Sequence, residues 1–211
     1  MTQTLDLITI GRSSVDLYGA QVGGRLEDMG SFDKYIGGSP TNIACGTARL
    51  GLRSAVITGV GDEHMGRFIT EQLAREGVST EGVKVDPERL TALVLLGIRD
   101  QEQFPLIFYR ENCADMGLTE DDIDPDFIRR ARAVVATGTH LSNPKVEAAT
   151  LKALEIARAA RAAGGPAVSC VSFQDEEGRF GVTTGSAIWG GNQTLEVADR
   201  LIEECTADPF N

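Results

Sequence analysis

GGSPTNIACGTARLG, running from Gly37 to Gly51, is the stretch on which the reading of this chain turns. Two adjacent glycines are followed by Ser39 and Pro40, which suit a helix start, then by Ile43, Ala44, Thr47 and Ala48 at helical spacing, until Gly51 closes the run. Gly37 and Gly38 let the backbone come close to a ligand. The helix N-terminus behind them offers N–H groups, and the Asn42 amide in the first turn both donates and accepts. A polyhydroxylated molecule asks for that mixture. The same residues also fit a plain turn before an ordinary helix, with Asn42 as a helix-start residue.

Outward from this helix the pattern is that of an α/β protein. LDLITIG (5–11) before it and SAVITGVG (54–61) after it are apolar runs bounded by glycine, as buried strands of a parallel sheet read. HMGRFITEQLAREG (64–77) predicts an amphipathic helix with Met65, Phe68, Ile69 and Leu73 inward and Gly77 at its C-terminus. RAVVATG (132–138) predicts a third core strand, and Lys145 to Ala163 an Ala-rich helix stopped by Gly164 and Gly165. LTALVLLGIRD (90–100) and FPLIFYREN (104–112) predict a β-hairpin, whereas glycine-rich Val15 to Lys34 reads as short strands or loop projecting from the sheet. From Pro166 onward VSCVSF suits a strand, GRFGVTTGSAIWGGN is rich in Gly and Thr, and LEVADRLIEEC suits a short helix. The expected fold class is a parallel α/β sheet flanked by helices, with small β excursions.

Composition narrows the partners. The 211 residues are 42% hydrophobic and 24% charged, which is ordinary for a globular chain. A formal net charge of -11 argues against a nucleic-acid partner, because that binding needs clustered Lys and Arg. A small molecule fits better, and it can itself be anionic where a local basic residue lines a cleft. The N-terminus lacks a basic region followed by a long apolar stretch, and no segment approaches the roughly 18 apolar residues of a membrane span. Cytoplasm is therefore the default compartment. Cys45, Cys113, Cys170 and Cys205 are scattered without metal or redox spacing and read as inert thiols.

Two tempting motifs fail. In GVGDEHMG (59–66), His64 falls where the third glycine of a dinucleotide fingerprint belongs, so an NAD-dependent oxidoreductase is disfavoured; Asp62 near a helix start is the plainer reading. There is no Walker G-x-x-x-x-G-K-[ST], and His64 and His140, the two histidines, lack metal spacing. Gly138, Thr139 and His140 follow a core strand at the end where α/β sheets bind ligands, which makes them candidates to line a cleft.

The run Gly37, Gly38, Asn42, Ala44, Gly51 resembles the first signature of the ribokinase-like PfkB family of carbohydrate kinases, and the likeness spans residues 5 to 163. GRSSVDLYG with Asp16 just after the first strand, GVGDEHMG, and the two β excursions follow in that family's order. The resemblance implies a substrate site built from Asp16, Gly37, Gly38, Asn42, Phe108, Arg110 and Asn112, under a β lid formed by residues about 17–35 and 90–112. In FYRENCAD, Phe108, Arg110 and Asn112 alternate and so share a face if the strand continues, and Arg110 resembles an arginine that reads the acid or oxo end of a keto sugar acid. ATP and Mg²⁺ are the implied cofactors, a homodimer through the lid the implied assembly. TIGRSSVDLYG, RLEDMGSFDKYIGGSPTNIA and ATGTHLS resemble the branch of that family that acts in inositol breakdown, and the resemblance implies 5-dehydro-2-deoxy-D-gluconate, phosphorylated at its 6-position, as the expected substrate.

The pattern also breaks. The family's second signature, D-T-x-G-A-G-D, is missing from the 211 residues, so no catalytic residue is assigned. The likeness drops at GGPAVSCVSFQDEEGRF, and the expectation is a divided chain: 1–163 as the N-terminal part of a ribokinase-like domain, 164–211 as a divergent tail, the whole a truncated kinase. The alternatives are a kinase for 2-keto-3-deoxygluconate, fructose or ribose, and a sugar-binding protein without turnover.

Overall fold

Alternation along each central strand sends one set of side chains to each face of a sheet, and both faces here need covering. The computed structural model describes residues 4–100, 103–141, 143–162, 168–174 and 180–184. In chain order these form β1 (Leu5–Ile10), β2 (Ser14–Gly19), β3 (Phe32–Gly37), α1 (Ser39–Arg49), β4 (Ser54–Gly61), α2 (His64–Arg75), β5 (Val83–Asp86), β6 (Ala92–Leu96) and β7 (Leu106–Tyr109). There follow α3 (Pro125–Arg129), β8 (Ala131–Thr137), α4 (Pro144–Ala162), β9 (Val168–Gln174) and β10 (Phe180–Thr184).

The main sheet has the order β10-β9-β8-β1-β4-β5, parallel except for β10 at its edge. Ala55 and Ile57 of β4, with Ile8 and Ile10 of β1, pack under α3 and α4. Val56 and Val60 face the other way, against Ala44 of α1 and Ile69 and Leu73 of α2. Ile8, Ile10, Ile69 and Leu73 are fully buried, each contributing about 1.5–3 kcal/mol of apolar transfer free energy. Thr9 points toward α1 and donates to the Pro40 carbonyl at 3.0 Å, which fixes the helix start over the C-terminal half of β1.

A second, four-stranded sheet has the order β3-β2-β6-β7. It is the lid. β2 pairs antiparallel with β3, placing Asp16 opposite Tyr35 and Ser14 opposite Gly37, and parallel with β6; β6 and β7 form the expected hairpin. Val15 to Lys34, which reads as short strands or loop, thus holds most of β2, a 3-10 turn at Leu26–Asp28, and the first half of β3. Because β2 follows β1 directly and β3 runs into α1, both lid strands are anchored at the C-terminal end of the main sheet.

Some elements differ from the sequence reading. β5 and α3 were too short to show a period. The start of α2 is held by Glu63 rather than Asp62: its carboxylate accepts from Met65 N at 2.5 Å and Gly66 N at 3.1 Å, while Asp62 is exposed beside Arg67. VSCVSF is strand β9, lying parallel to β8, and FGVTT is strand β10. The helix expected at LEVADRLIEEC, and Cys205 with it, lies outside the described residues.

Candidate functional site

The Gly37–Gly38 pair carries more than a turn. A Cβ on Gly37 would collide with all three atoms of the Asp16 carboxyl group, and one on Gly38 with the Arg12 carbonyl oxygen. Gly38 also has φ of 102°, a conformation glycine adopts without strain, and as the residue capping α1 it contributes no side chain. Glycine at both places lets three segments meet: the end of β1, lid strand β2 and the first turn of α1. Ser13 and Thr41 lock the junction through a 2.6 Å hydroxyl pair, and Thr41 Oγ1 also donates to the Arg12 carbonyl at 3.3 Å.

Above this junction lies a cleft of about 460 Å³ whose lining includes Asp16, Tyr18, Asp33, Tyr35, Asn42 and Ile98. Asp16 and Asn42, singled out from the sequence, therefore share one cavity. Tyr18 and Tyr35 stand edge to face with ring centroids 5.4 Å apart. Partial burial pushes the Asp16 carboxyl above the ordinary aspartate range, against the opposing pull of a 2.8 Å bond from Ser14 Oγ and the charge of Arg12. A carboxylate raised in this way is a strong acceptor waiting for donors, which sugar hydroxyls supply.

Phe108, Arg110 and Asn112 do not share a face. β7 ends at Tyr109, so the alternation stops before Arg110. Phe108 lies under the Arg12 guanidinium, 5.1 Å from ring centroid to Cζ. Arg110 instead binds Asp115, with Nε at 2.9 Å and a terminal nitrogen at 2.7 Å from Oδ2. Asn112 has φ of 50°, and its Oδ1 accepts from Arg89 Nε at 3.1 Å. The turn at 110–113 redirects both side chains.

Asp115 and His140 were not read as a unit from the sequence. Both are wholly buried, with His140 Nε2 3.5 Å from Asp115 Oδ2, near enough for attraction but too long to satisfy the ring nitrogen. Burial alone would raise the Asp115 carboxyl, but the attraction of His140 and Arg110 outweighs it and holds the group below the usual range. Burial drives His140 down, so it is neutral at pH 7, and it is not among the residues lining the cleft. The Thr139 side chain lies outside the described residues. Arg12 was missed as well. Its flank Gly11-Arg12-Ser13 carries no period, and within GRSSVDLYG only Asp16 was singled out, whereas Tyr18 was available from period two after Asp16, as Tyr35 was from its place two residues before Gly37.

The model of the pfkB family of carbohydrate kinases matches residues 4–176, taking in every element from β1 to β9. The chain belongs to the PfkB family. Among the relatives of this PfkB chain are the 5-dehydro-2-deoxygluconokinases of Listeria monocytogenes, 39% identical over 154 residues, and Geobacillus kaustophilus, 39% identical over 155. These alignments cover 72% and 73% of the chain but 47% and 46% of the relatives, so the chain spans about half their length. Solved structures superpose on the same fold. A PfkB protein from a Polaromonas species has a TM-score of 0.71 at 29% identity, covering 82% of this chain and 56% of the other. A Halothermothrix orenii fructokinase has 0.68 at 27%, covering 81% and 57%. A putative ribokinase from E. coli, solved in complex with ATP and Mg²⁺, shares the fold at a TM-score of 0.70 and 24% identity, covering 82% of this chain and 53% of its own. Among the described residues of the PfkB chain, no helix is long and apolar enough to cross a membrane.

Proposed function

We propose that this chain supplies the acceptor side of an ATP-dependent kinase that phosphorylates 5-dehydro-2-deoxy-D-gluconate on its terminal hydroxyl, giving the 6-phosphate. The observation that carries the reading is the junction at Gly37 and Gly38, where Asp16 and Asn42 are brought to one cleft at the C-terminal end of a parallel sheet, the end at which such sheets take ligands. The names of the relatives support the substrate. Asp16 accepts from sugar hydroxyls, the Asn42 amide answers with a donor and an acceptor, and the lid strands keep water from the transferring phosphoryl group.

ATP with Mg²⁺ is the phosphoryl donor implied by the family. The chemistry assigned to this chain's own residues is to bind, orient and desolvate the acceptor. A second copy of the chain is the proposed partner. All four residues of β7, Leu106, Ile107, Phe108 and Tyr109, are exposed on a lid edge strand, the kind of surface that pairs with its own copy. Sedimentation across a concentration series tests this, with a single monomeric species contradicting it.

The substrate is tested by titrating the chain with 5-dehydro-2-deoxy-D-gluconate, 2-keto-3-deoxygluconate, fructose and ribose, with ADP release followed in parallel. Tightest binding of the first supports the reading. Preference for fructose or ribose contradicts it.

A further inference from the structure

We propose that Arg12, rather than Arg110, reads the acid group of the substrate; this rests on the sugar-acid reading above. The two guanidinium groups are committed differently. Arg110 places two nitrogens on Asp115 Oδ2, and that carboxylate is fully buried. Withdrawing Arg110 toward a ligand would strand a buried charge, one of the more costly changes a protein interior can undergo.

Arg12 stands differently. Its Nε is buried without a hydrogen-bond partner, and among the described residues the guanidinium stacks over the Phe108 ring at 5.1 Å and makes no side-chain ion pair. A partly buried guanidinium facing no acceptor is an incomplete arrangement, since each buried donor left unpaired costs free energy. Its backbone is fixed at the junction: the Arg12 carbonyl is packed on Gly38 and accepts from Thr41, so the residue belongs to the same meeting point that holds Asp16 over Gly37. Asp16 and Asp115 attract it without pairing, and Arg110 repels it. A ligand carboxylate would complete Arg12 through the forked geometry this side chain matches best, and would relieve the repulsion between the two arginines. Phe108 keeps the fork oriented, and Arg110 becomes a positioning residue that ties the end of the lid to the buried Asp115.

The test compares 5-dehydro-2-deoxy-D-gluconate with its primary amide, which keeps the carbon skeleton and hydroxyls and removes the charge. Calorimetric titrations are run on the whole chain and on Arg12→Gln and Arg12→Lys, with thermal unfolding recorded for each. The wild type should favour the acid. Arg12→Gln should lose acid affinity by about 10- to 100-fold while binding the amide unchanged, and Arg12→Lys should recover part of the loss. Equal weakening of acid and amide in both variants, or no change in either, overturns the assignment and leaves the acceptor site intact. Equal affinity of the wild type for acid and amide also overturns it, whereas binding of neither by the wild type removes the acceptor reading on which it stands.

Discussion

The carboxyl group of Asp16 fills the space that a side chain on Gly37 would occupy. β2 and β3 pair antiparallel with Ser14 opposite Gly37, so the two strands cannot part to make room without breaking the lid. Gly37→Ala should therefore swing Asp16 out of the cleft, weakening sugar-acid binding by about tenfold or more and lowering stability by about 1–3 kcal/mol. Titration calorimetry and urea unfolding of the same variant check the pair of effects.

Asp16 itself is held ready at a cost. Burial raises its folded-state value above the ordinary aspartate range, so the fold prefers it protonated. The resulting stability is present below that ordinary range and is lost as pH rises through the elevated value. Asp16→Asn should then raise the melting temperature at neutral pH and give no advantage in acid, while reducing affinity for the sugar by about tenfold. A melting-temperature series across pH, set beside binding at neutral pH, reads both.

Asp115 behaves in the opposite sense. Burial pushes its carboxyl up, but His140 and Arg110 together depress it below the usual range, so its stabilisation is present above that range and disappears as pH falls through the lowered value. Asp115→Ala leaves Arg110 without its buried partner and should destabilise the fold by about 3–5 kcal/mol. Chemical unfolding at neutral and acid pH should show the gap between wild type and variant closing in acid.

Glu63 couples the main sheet to the lid. Its carboxylate accepts from the backbone N–H groups of Met65, Gly66 and Thr91 and from the Thr91 hydroxyl just before β6. Glu63→Ala should cost about 1–2 kcal/mol and speed amide hydrogen exchange in β6 more than in β1. Uniform acceleration across both strands would show that the residue serves only α2.

The fold was legible wherever one period ran long enough. β1, β4 and β8 are apolar runs closed by glycine, and α2 and α4 span several turns, so their existence did not depend on tertiary context. β5 and α3, of four and five residues, did depend on it. The Gly37, Gly38 and Asn42 neighbourhood was legible because glycine pairs mark close backbone approach, whereas Asp16 came from the family resemblance. Phe108, Arg110 and Asn112 were placed by alternation, which holds only while a strand lasts, and the positive φ at Asn112 marks where it fails. Arg12, Asp115 and His140 come from segments far apart in the chain, and no local pattern signals that they meet.

The most direct measurement is a calorimetric titration of the chain with 5-dehydro-2-deoxy-D-gluconate, repeated on Asp16→Asn and Gly37→Ala. The account predicts saturable binding of one sugar acid per chain, reduced by about tenfold or more in both variants. Heats of dilution alone in the wild type, or binding that neither variant diminishes, would contradict it.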